Sequence, residues 1–222
     1  MIADRDKYLL PIVEELSKVW PHNRTVNIVC HGHSVPAGYA SNNVVHAVDA
    51  YPHLLWQMLC KRFPCSVINV IVSAIGGEKA TQGAKRFERD VLSHRPDVVT
   101  IDYALNDRFF DSIKEVEAAW RNMIEAALAS QVKVLLLTPT IDCGQIYYDI
   151  NSIKSDLSSL SQMIRKLAAE YSVGLVDSYA VINSKLEQGY IPSDFLISVN
   201  HPNRAGHEIV AQEIMRWFPI LI

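Results

Sequence analysis

Residues 26–38 read VNIVCHGHSVPAG, an apolar run followed at once by a turn of small and polar residues. The apolar part, 26–30, has the length and the β-branched content of a buried strand. Open α/β sheets place their chemistry beyond the carboxyl ends of such strands, and Ser34 lies at that point. The stretch therefore predicts an α/β fold with a candidate nucleophile in its first strand-to-helix turn.

The rest of the chain repeats this alternation of short apolar runs and longer amphipathic segments. The runs that predict strands lie at 26–30, 66–72, 97–102, 132–137 and 174–176. The segments with helical spacing lie at 51–62, 78–92, 112–130, 157–171 and 204–217, after a leading helix at about 5–20. Such alternation is typical of βαβ units, in which helices cover both faces of a parallel sheet. We therefore expect one α/β domain over residues 1–222, a three-layer α/β/α sandwich around a five-stranded parallel sheet.

The composition narrows the partners of this domain. The formal net charge is -3, so the chain lacks the basic excess of a nucleic-acid-binding surface. The four cysteines have no metal-ligand spacing, and we expect all of them to be reduced, with no cofactor. The first residues lack the basic start and apolar core of a secretory signal, and no run is long enough to span a membrane. We expect a cytoplasmic protein that acts on a small molecule rather than on a nucleic acid or a membrane.

The first polar cluster follows the first predicted strand and contains Ser34, with His31 and His33 beside it. A serine hydroxyl becomes a nucleophile only with a general base within hydrogen-bond reach and with donors for the developing oxyanion. The alternative is that Ser34 only caps the helix that follows it.

The second cluster, AIGGE at residues 74–78, follows the second predicted strand. A backbone N–H in the Gly76-Gly77 pair can approach a substrate closely and serve as an oxyanion donor. The alternative is a plain tight turn before a helix that begins at Glu78.

The third cluster, ALNDR at residues 104–108, follows the third predicted strand. The side-chain amide of Asn106 is a neutral donor, which stabilises an oxyanion without competing for the proton of the nucleophile. The alternative is that Asn106 or Asp107 caps the helix that follows.

The last cluster, SVNHPN at residues 198–203, precedes the final predicted helix. His201 is the candidate general base, held by the rigid His-Pro turn, with Asn203 as the cap of the helix behind it. A histidine in a loop is, however, more often an ordinary surface residue.

Read in order, these clusters resemble the motifs of the SGNH, or GDSL-type, hydrolase family. Gly32-His33-Ser34 is similar to the Gly-Asp-Ser motif of that family, with His33 in place of the aspartate. The 104–107 sequence is similar to its Gly-x-Asn-Asp motif, with Ala104 in place of the glycine. His201-Pro202-Asn203 is similar to the end of its Asp-x-x-His motif, but Ser198 stands where the aspartate is usual. The resemblance covers nearly the whole chain and implies a sheet of flavodoxin-like strand order.

The resemblance also implies roles for these residues. Ser34 would attack the substrate and His201 would take its proton, while the N–H groups of Ser34 and Gly77 and the amide of Asn106 would bind the oxyanion. Gly76 is the second candidate for the glycine donor. Four residues are candidate substrate contacts in the same cleft: His33, Gly76, Asp107 and Tyr39.

The absence of an aspartate at Ser198 leaves the orientation of His201 open. In a serine triad that acid fixes the tautomer of the histidine and stabilises the imidazolium. We hypothesise that Ser198 orients His201 through its hydroxyl or its carbonyl, with Asp194 as the second choice.

The resemblance implies an esterase that cleaves a small acyl ester, for example an O-acetylated carbohydrate, through an acyl-enzyme. One alternative is a ligand-binding protein on the same scaffold, because three motif positions are replaced. A second alternative is a metal-dependent hydrolase that uses His31, His33, His201 and Asp107 as ligands. The loop at 139–148, with Tyr147 and Tyr148, is a candidate wall of the cleft, and we expect the apolar C-terminus at 217–222 to pack on the domain itself.

Overall fold

The computed structural model of the protein describes residues 1–41, 44–109, 112–143 and 156–221. Its strands form one parallel sheet in the order β2-β1-β3-β4-β5. Their bounds are β1 Thr25–Gly32, β2 Val67–Ala74, β3 Val98–Asp102, β4 Lys133–Leu137 and β5 Gly174–Val176. This is the flavodoxin-like order, so the predicted α/β fold with its five-stranded parallel sheet is confirmed.

The helices pack on the sheet in two groups. The bounds are α1 Leu10–Leu16, α2 Ser34–Ala37, α3 Tyr51–Arg62, α4 Ala80–Asp90, α5 Ala104–Asp107, α6 Ile113–Ala129, α7 Leu157–Tyr171, α8 Ser178–Glu187 and α9 Arg204–Met215. Helices α3 and α9 pack on each other and reach β2 and β5, whereas α4, α6 and α7 pack in series and reach β1, β4 and β5. Successive residues of a strand point to opposite faces of the sheet. Cys30 faces Tyr51 of α3, and the next residue, His31, faces Gly83 of α4, so the two groups cover opposite faces.

The ends of β1, β2 and β3, which are neighbours in the sheet, coincide. Gly32 at the end of β1 pairs with Ala74 at the end of β2 and with Asp102 at the end of β3. The turns that follow these strands therefore begin at the same edge. The register brings the first three predicted polar clusters together there.

Several element boundaries differ from the sequence-based expectation. The leading helix is shorter than 5–20: it begins at Leu10, with Pro11 in its first turn, because proline fits the start of a helix where no N–H donor is needed. Helix α4 begins at Ala80 rather than at Glu78, and α9 ends at Met215 rather than at 217. Helix α8 was not predicted from the sequence. Its buried residues are Ser178 and Ile182, too few to produce a clear helical pattern of apolar residues.

The end of the chain packs on its own domain, as expected. Trp217 and Phe218 are buried, and Trp217 Nε1 donates to the carbonyl oxygen of Leu175 in β5 at 3.2 Å. The four cysteines, all of which the structure describes, form no disulfide. Within the described ranges, no helix combines the length and the apolar character that crossing a membrane requires.

Candidate active site

Ser34 is the first residue of the one-turn helix α2, directly after β1. The helix ends at Gly38, whose φ of 85° is left-handed and whose missing side chain leaves room for Ala50 and for the backbone at His46. Ser34 Oγ lies 3.0 Å from Nε2 of His201, which comes from the opposite end of the chain. A hydroxyl and an imidazole at this distance have the geometry of a nucleophile and its general base.

The loop that carries His201 is fixed on both sides. Leu196 and Pro202 form a short antiparallel bridge, and the N–H of Ile197 donates to the carbonyl of His201. Asn203 then caps α9, because its side-chain oxygen accepts from the N–H of Gly206 at 3.0 Å. Asn203 is therefore the predicted helix cap, and the loop holds the imidazole over Ser34.

A main-chain carbonyl orients the far side of His201. Nδ1 of His201 lies 3.1 Å from the carbonyl oxygen of Ala40 and 3.2 Å from the hydroxyl of Ser198. A protonated Nδ1 can donate to the carbonyl, which leaves the lone pair of Nε2 for the hydroxyl of Ser34. The carbonyl in contact with Nδ1 thus belongs to Ala40, not to Ser198 as one form of the hypothesis had it. Of Ser198, the hydroxyl is the group within reach.

Asp194, the second choice for orienting His201, serves a different purpose. Its carboxylate accepts from the N–H of Ile191 at 2.9 Å and closes the short 3-10 turn Pro192–Asp194. Asp194 is exposed, and the structure does not bring it to the imidazole.

The surroundings of His201 keep it neutral. Burial lowers the pKa of His201, the contact with the Ala40 carbonyl raises it, and the charged form of His33 lowers it further, with burial the largest of these effects. A neutral imidazole is the form that can accept a proton from Ser34.

The candidate oxyanion donors follow β2 and β3 at the same edge of the sheet at which Ser34 follows β1. Gly77 has a left-handed φ of 76°, and a Cβ atom at Gly76 would lie 2.8 Å from the ring of Tyr39. Within the described part of the chain, the N–H groups of both glycines have no hydrogen-bond acceptor. Asn106 Nδ2 donates one hydrogen to the carbonyl of Glu78 at 3.0 Å, which leaves its second hydrogen available. Both glycines and Asn106 can therefore supply donors, and the preference for Gly77 over Gly76 stays a prediction.

A buried polar network supports the Gly76-Gly77 turn, and the sequence did not predict this network. The Glu78 carboxylate accepts from Arg86 Nε at 2.8 Å and from the hydroxyl of Tyr103 at 2.7 Å. Arg86 also donates to the hydroxyl of Ser73 at 2.8 Å. All four side chains are buried, so these hydrogen bonds are made away from water. Glu78 does not open α4, as the tight-turn alternative had it, but anchors the Gly76-Gly77 turn.

His31 belongs to the same network rather than to the catalytic cleft. Its Nδ1 lies 2.9 Å from the carbonyl of Ser73, and its Nε2 lies 3.0 Å from the hydroxyl of Tyr103. Burial, which is the largest effect, lowers the pKa of His31 to about 4. Within the described ranges, no three His, Cys, Asp or Glu side chains converge as metal ligands would, and this includes His31, His33 and His201.

Two of the four candidate substrate contacts, Asp107 and His33, are buried and have partners within the protein. Asp107 is buried, and its two carboxylate oxygens accept from the N–H of Ala80 at 2.8 Å and from Trp120 Nε1 at 3.0 Å. Asp107 thus caps the start of α4 and not the helix that follows it, which Ser112 caps. His33 is fully buried as the N-cap of α2. Both side chains therefore have partners inside the protein, and their role as substrate contacts stays a prediction.

The other two candidate contacts, Tyr39 and Gly76, lie at the site. The ring of Tyr39 is half-buried, with its centroid 6.2 Å from that of His201, and its edge borders Gly76. Beside Asn106, Arg108 forms a buried ion pair with Asp142, which joins the third cluster to the loop after β4. Tyr147 and Tyr148, the candidate cleft wall, lie outside the described residues.

Comparison with known proteins finds a matching family and several similar esterases. A family model described as the GDSL-like lipase/acylhydrolase family matches residues 30–209, a span that contains Ser34, Asn106 and His201. An acetylxylan esterase from Geobacillus stearothermophilus is 26% identical over 165 residues, which are 69% of this chain and 74% of that protein. The crystal structure of Axe2, an acetylxylan esterase from the same organism, aligns with a TM-score of 0.73 at 22% identity over 88% of this chain and 95% of that one. A two-domain esterase, CEX, active on acetylated mannans, aligns with a TM-score of 0.74 at 24% identity over 98% of this chain and 54% of that one.

Proposed function

This chain belongs to the GDSL-like lipase/acylhydrolase family and is a carboxylic ester hydrolase, and from that premise we propose that it removes a small acyl group, above all acetyl, from an acylated carbohydrate. The observation that carries the proposal is the 3.0 Å contact between Ser34 Oγ and His201 Nε2, with Nδ1 of the same ring held by Ala40. A serine that only capped a helix would not require this imidazole.

The first half of the proposed reaction forms an acyl-enzyme. Ser34 Oγ attacks the ester carbonyl carbon, and its proton passes to Nε2 of His201. The oxyanion of the tetrahedral intermediate accepts from the N–H of Ser34, from a glycine N–H of the 76–77 turn and from the Asn106 amide. The bond to the alcohol oxygen then breaks, and the alcohol leaves with the proton from His201.

The second half returns the enzyme to its starting state. A water molecule gives a proton to Nε2 of His201 and attacks the acyl carbon, and the same donors hold the second oxyanion. The bond to Ser34 Oγ breaks, Ser34 regains its proton from His201, and the carboxylic acid is released. No group beyond Ser34, His201 and the donors is needed to balance these steps.

Two observations support an acetylated carbohydrate as the substrate class. The relatives with known activity act on acetylated xylan and acetylated mannans, as their names state. Ser34 is only 5% exposed and has the Tyr39 ring nearby, surroundings that favour a small acyl group over a long chain. The cytoplasmic location and the absence of nucleic-acid and membrane partners expected from the sequence stay predictions.

Hydrolysis and active-site labelling test the proposal together. We expect the wild type to release acetate from p-nitrophenyl acetate and from acetylated xylo-oligosaccharides, and a fluorophosphonate probe to label it. Ser34→Ala should abolish both signals, and His201→Ala should suppress them strongly. Ser130→Ala is the matched control, because Ser130 is an exposed serine at the end of α6.

Three results would contradict the proposal. Labelling that persists in Ser34→Ala removes Ser34 from the role of nucleophile. A folded wild type that neither reacts with the probe nor cleaves the esters supports the ligand-binding alternative. Faster cleavage of a p-nitrophenyl octanoate than of the acetate contradicts the small-acyl preference.

A further inference from the structure

The position before the nucleophile is occupied by a histidine whose two nitrogens have different partners. Nδ1 of His33 accepts from the N–H of Val35 at 3.2 Å and so caps α2. A nitrogen that accepts a backbone N–H must carry a lone pair, so the proton of the neutral ring is on Nε2. The cap therefore exists in only one of the two neutral tautomers.

Nε2 of His33 lies near a buried carboxylate at the end of β3, and within the described residues this nitrogen makes no hydrogen bond. It lies 3.4 Å from Oδ1 of Asp102, the last residue of β3, and both side chains are almost completely buried. The approach is close because Gly32, which pairs with Asp102 in the sheet, has no Cβ atom; a Cβ there would collide with the carbonyl oxygen of Asp102. The carboxylate thus lies where it favours a proton on Nε2.

We propose that Asp102 and His33 act as a positioning pair for Ser34, in which the carboxylate fixes the tautomer of His33 and the imidazole fixes the turn that carries the nucleophile. The proposal rests on the proposed esterase function, in which Ser34 must present both its hydroxyl and its N–H. The similar motif has an aspartate at the position of His33. In this chain the carboxylate instead belongs to Asp102 at the end of β3, on the far side of the His33 ring from Ser34.

The geometry separates this role from that of a general base. His33 Nδ1 is 3.4 Å from Ser34 Oγ, compared with 3.0 Å for His201 Nε2, and its lone pair is already shared with the N–H of Val35. His33 is also fully buried, so it cannot pass a proton to a departing alcohol. Neither His33 nor Asp102 needs to touch the substrate, and both act through Ser34.

Exchange of the two residue types tests the pair. Asp102→Asn removes the charge that fixes the tautomer, and we expect kcat to fall about 10- to 100-fold with KM within about twofold, because a small misplacement of the reacting atoms has an effect of this size. His33→Asp places two carboxylates side by side in a buried site and should lower both kcat and the melting temperature. The double variant His33→Asp/Asp102→Asn carries one carboxylate that can accept from the N–H of Val35. Its kcat should return to within about threefold of the wild type.

Two further measurements keep loss of folding separate from loss of positioning. Asp177→Asn is the matched control, since it removes a carboxylate that follows the edge strand β5 and pairs with Arg165, and it should leave kcat unchanged. Nitrogen-15 NMR of the imidazoles reports the tautomer directly: we expect the Nε2–H form of His33 in the wild type and a mixed population in Asp102→Asn. Melting temperatures show whether each variant is folded at the assay temperature.

The outcomes distinguish the pair from the function on which it rests. A wild type without esterase activity refutes the proposed function. An active wild type whose Asp102→Asn variant keeps full kcat, or whose His33 carries its proton on Nδ1, refutes the pair alone. A folded double variant that is no faster than His33→Asp also refutes it. Rescue by the double variant, which has no imidazole at position 33, supports positioning and contradicts a role of His33 as general base.

Discussion

Nδ1 of His201 lies 3.1 Å from the main-chain carbonyl oxygen of Ala40, and this contact occupies the place that an acid holds in a serine triad. A carbonyl oxygen can fix the tautomer of the imidazole as a carboxylate does. It carries no net charge, however, so it stabilises the imidazolium less. In the proposed mechanism Ser34 and His201 therefore form a dyad whose orienting atom belongs to the backbone.

Ser198→Ala should change the activity little. The Ala40 carbonyl remains in place, and the hydroxyl lost is one neutral hydrogen-bond partner at 3.2 Å. A hydrogen bond of about 1 kcal/mol corresponds to about a fivefold change in kcat, which steady-state hydrolysis of p-nitrophenyl acetate resolves. Asp194→Asn serves as the control and should match the wild type in kcat. A loss of more than about 100-fold in Ser198→Ala would make its hydroxyl the principal orienting group.

Ser198→Asp should move the acidic limb of the pH profile of kcat/KM to higher pH. In the wild type burial lowers the pKa of His201, so the base form persists below the usual pKa of about 6.5. A carboxylate at position 198 favours the imidazolium and should raise the pKa of His201, so that protonation removes the base at a higher pH. Ser198→Asn, which adds similar bulk without charge, should leave the limb in place. A limb that moves to lower pH, or that does not move, contradicts this account.

Asn106→Ala should lower kcat about 10²-fold and leave KM nearly unchanged. In the proposed mechanism the second hydrogen of its amide binds the oxyanion only in the transition state, and the loss of one such donor has an effect of this size. Asn122→Ala, at an exposed position in α6, is the matched control. An equal change in KM, with kcat preserved, would place Asn106 in ground-state binding instead.

Gly76→Ala should lower activity through Tyr39. The added methyl group would lie 2.8 Å from Cζ of the ring, so the ring must move away from its place beside His201. If this collision is the cause, Tyr39→Ala should remove most of the additional effect, and a double-mutant cycle on kcat/KM measures the coupling. Additive effects of the two substitutions would show that Gly76 acts independently of the ring.

Stability should fall as the pH drops from about 6.5 to about 4. Burial lowers the pKa values of His31 and His207 to about 4, whereas the unfolded chain binds these protons near pH 6.5, so acid favours unfolding in this window. Burial raises the pKa of Asp107 to about 6, and its contribution, which is largest at low pH, offsets part of the loss. His207→Asn keeps an acceptor for the N–H of Tyr51 and removes one titrating group.

Urea unfolding near pH 7 and near pH 4.5 measures this effect. The difference in the free energy of unfolding between the two pH values should be smaller in His207→Asn than in the wild type, by on the order of 2 kcal/mol. The exposed His22 offers the control, and His22→Asn should show the full wild-type difference. An unchanged difference in His207→Asn would mean that His207 does not titrate on unfolding.

The fold was predictable from the sequence because parallel strands buried on both faces leave continuous apolar runs. The ends of the strands were less predictable. Strand β1 extends through Gly32 because its pairing with β2 and β3 continues past the apolar run. Ser34, Asn106 and His201 carry side-chain chemistry that a motif displays, so sequence could propose them. Ala40 acts through its main-chain carbonyl, which every residue type shares, and nothing in the sequence could mark it.

Burial explains the remaining differences between sequence and structure. His33 and Asp107 are polar residues beside motif positions, and only the packing around them reveals that they face the interior. The support of Glu78 comes from Arg86 and Tyr103, which belong to separate elements. Such a network is a property of the tertiary structure and leaves no local pattern.

Asp107 connects parts of the molecule that are far apart in the chain. Its carboxylate accepts from the first turn of α4 and from the indole of Trp120 in α6. Asp107 itself directly follows Asn106, the proposed oxyanion donor. If either helix opened locally, an acceptor in the interior would be left without its donor. The two helices and the catalytic edge should therefore exchange their amide protons with solvent as one cooperative unit, and a chemical denaturant should remove enzymatic turnover and helical signal over the same concentration range.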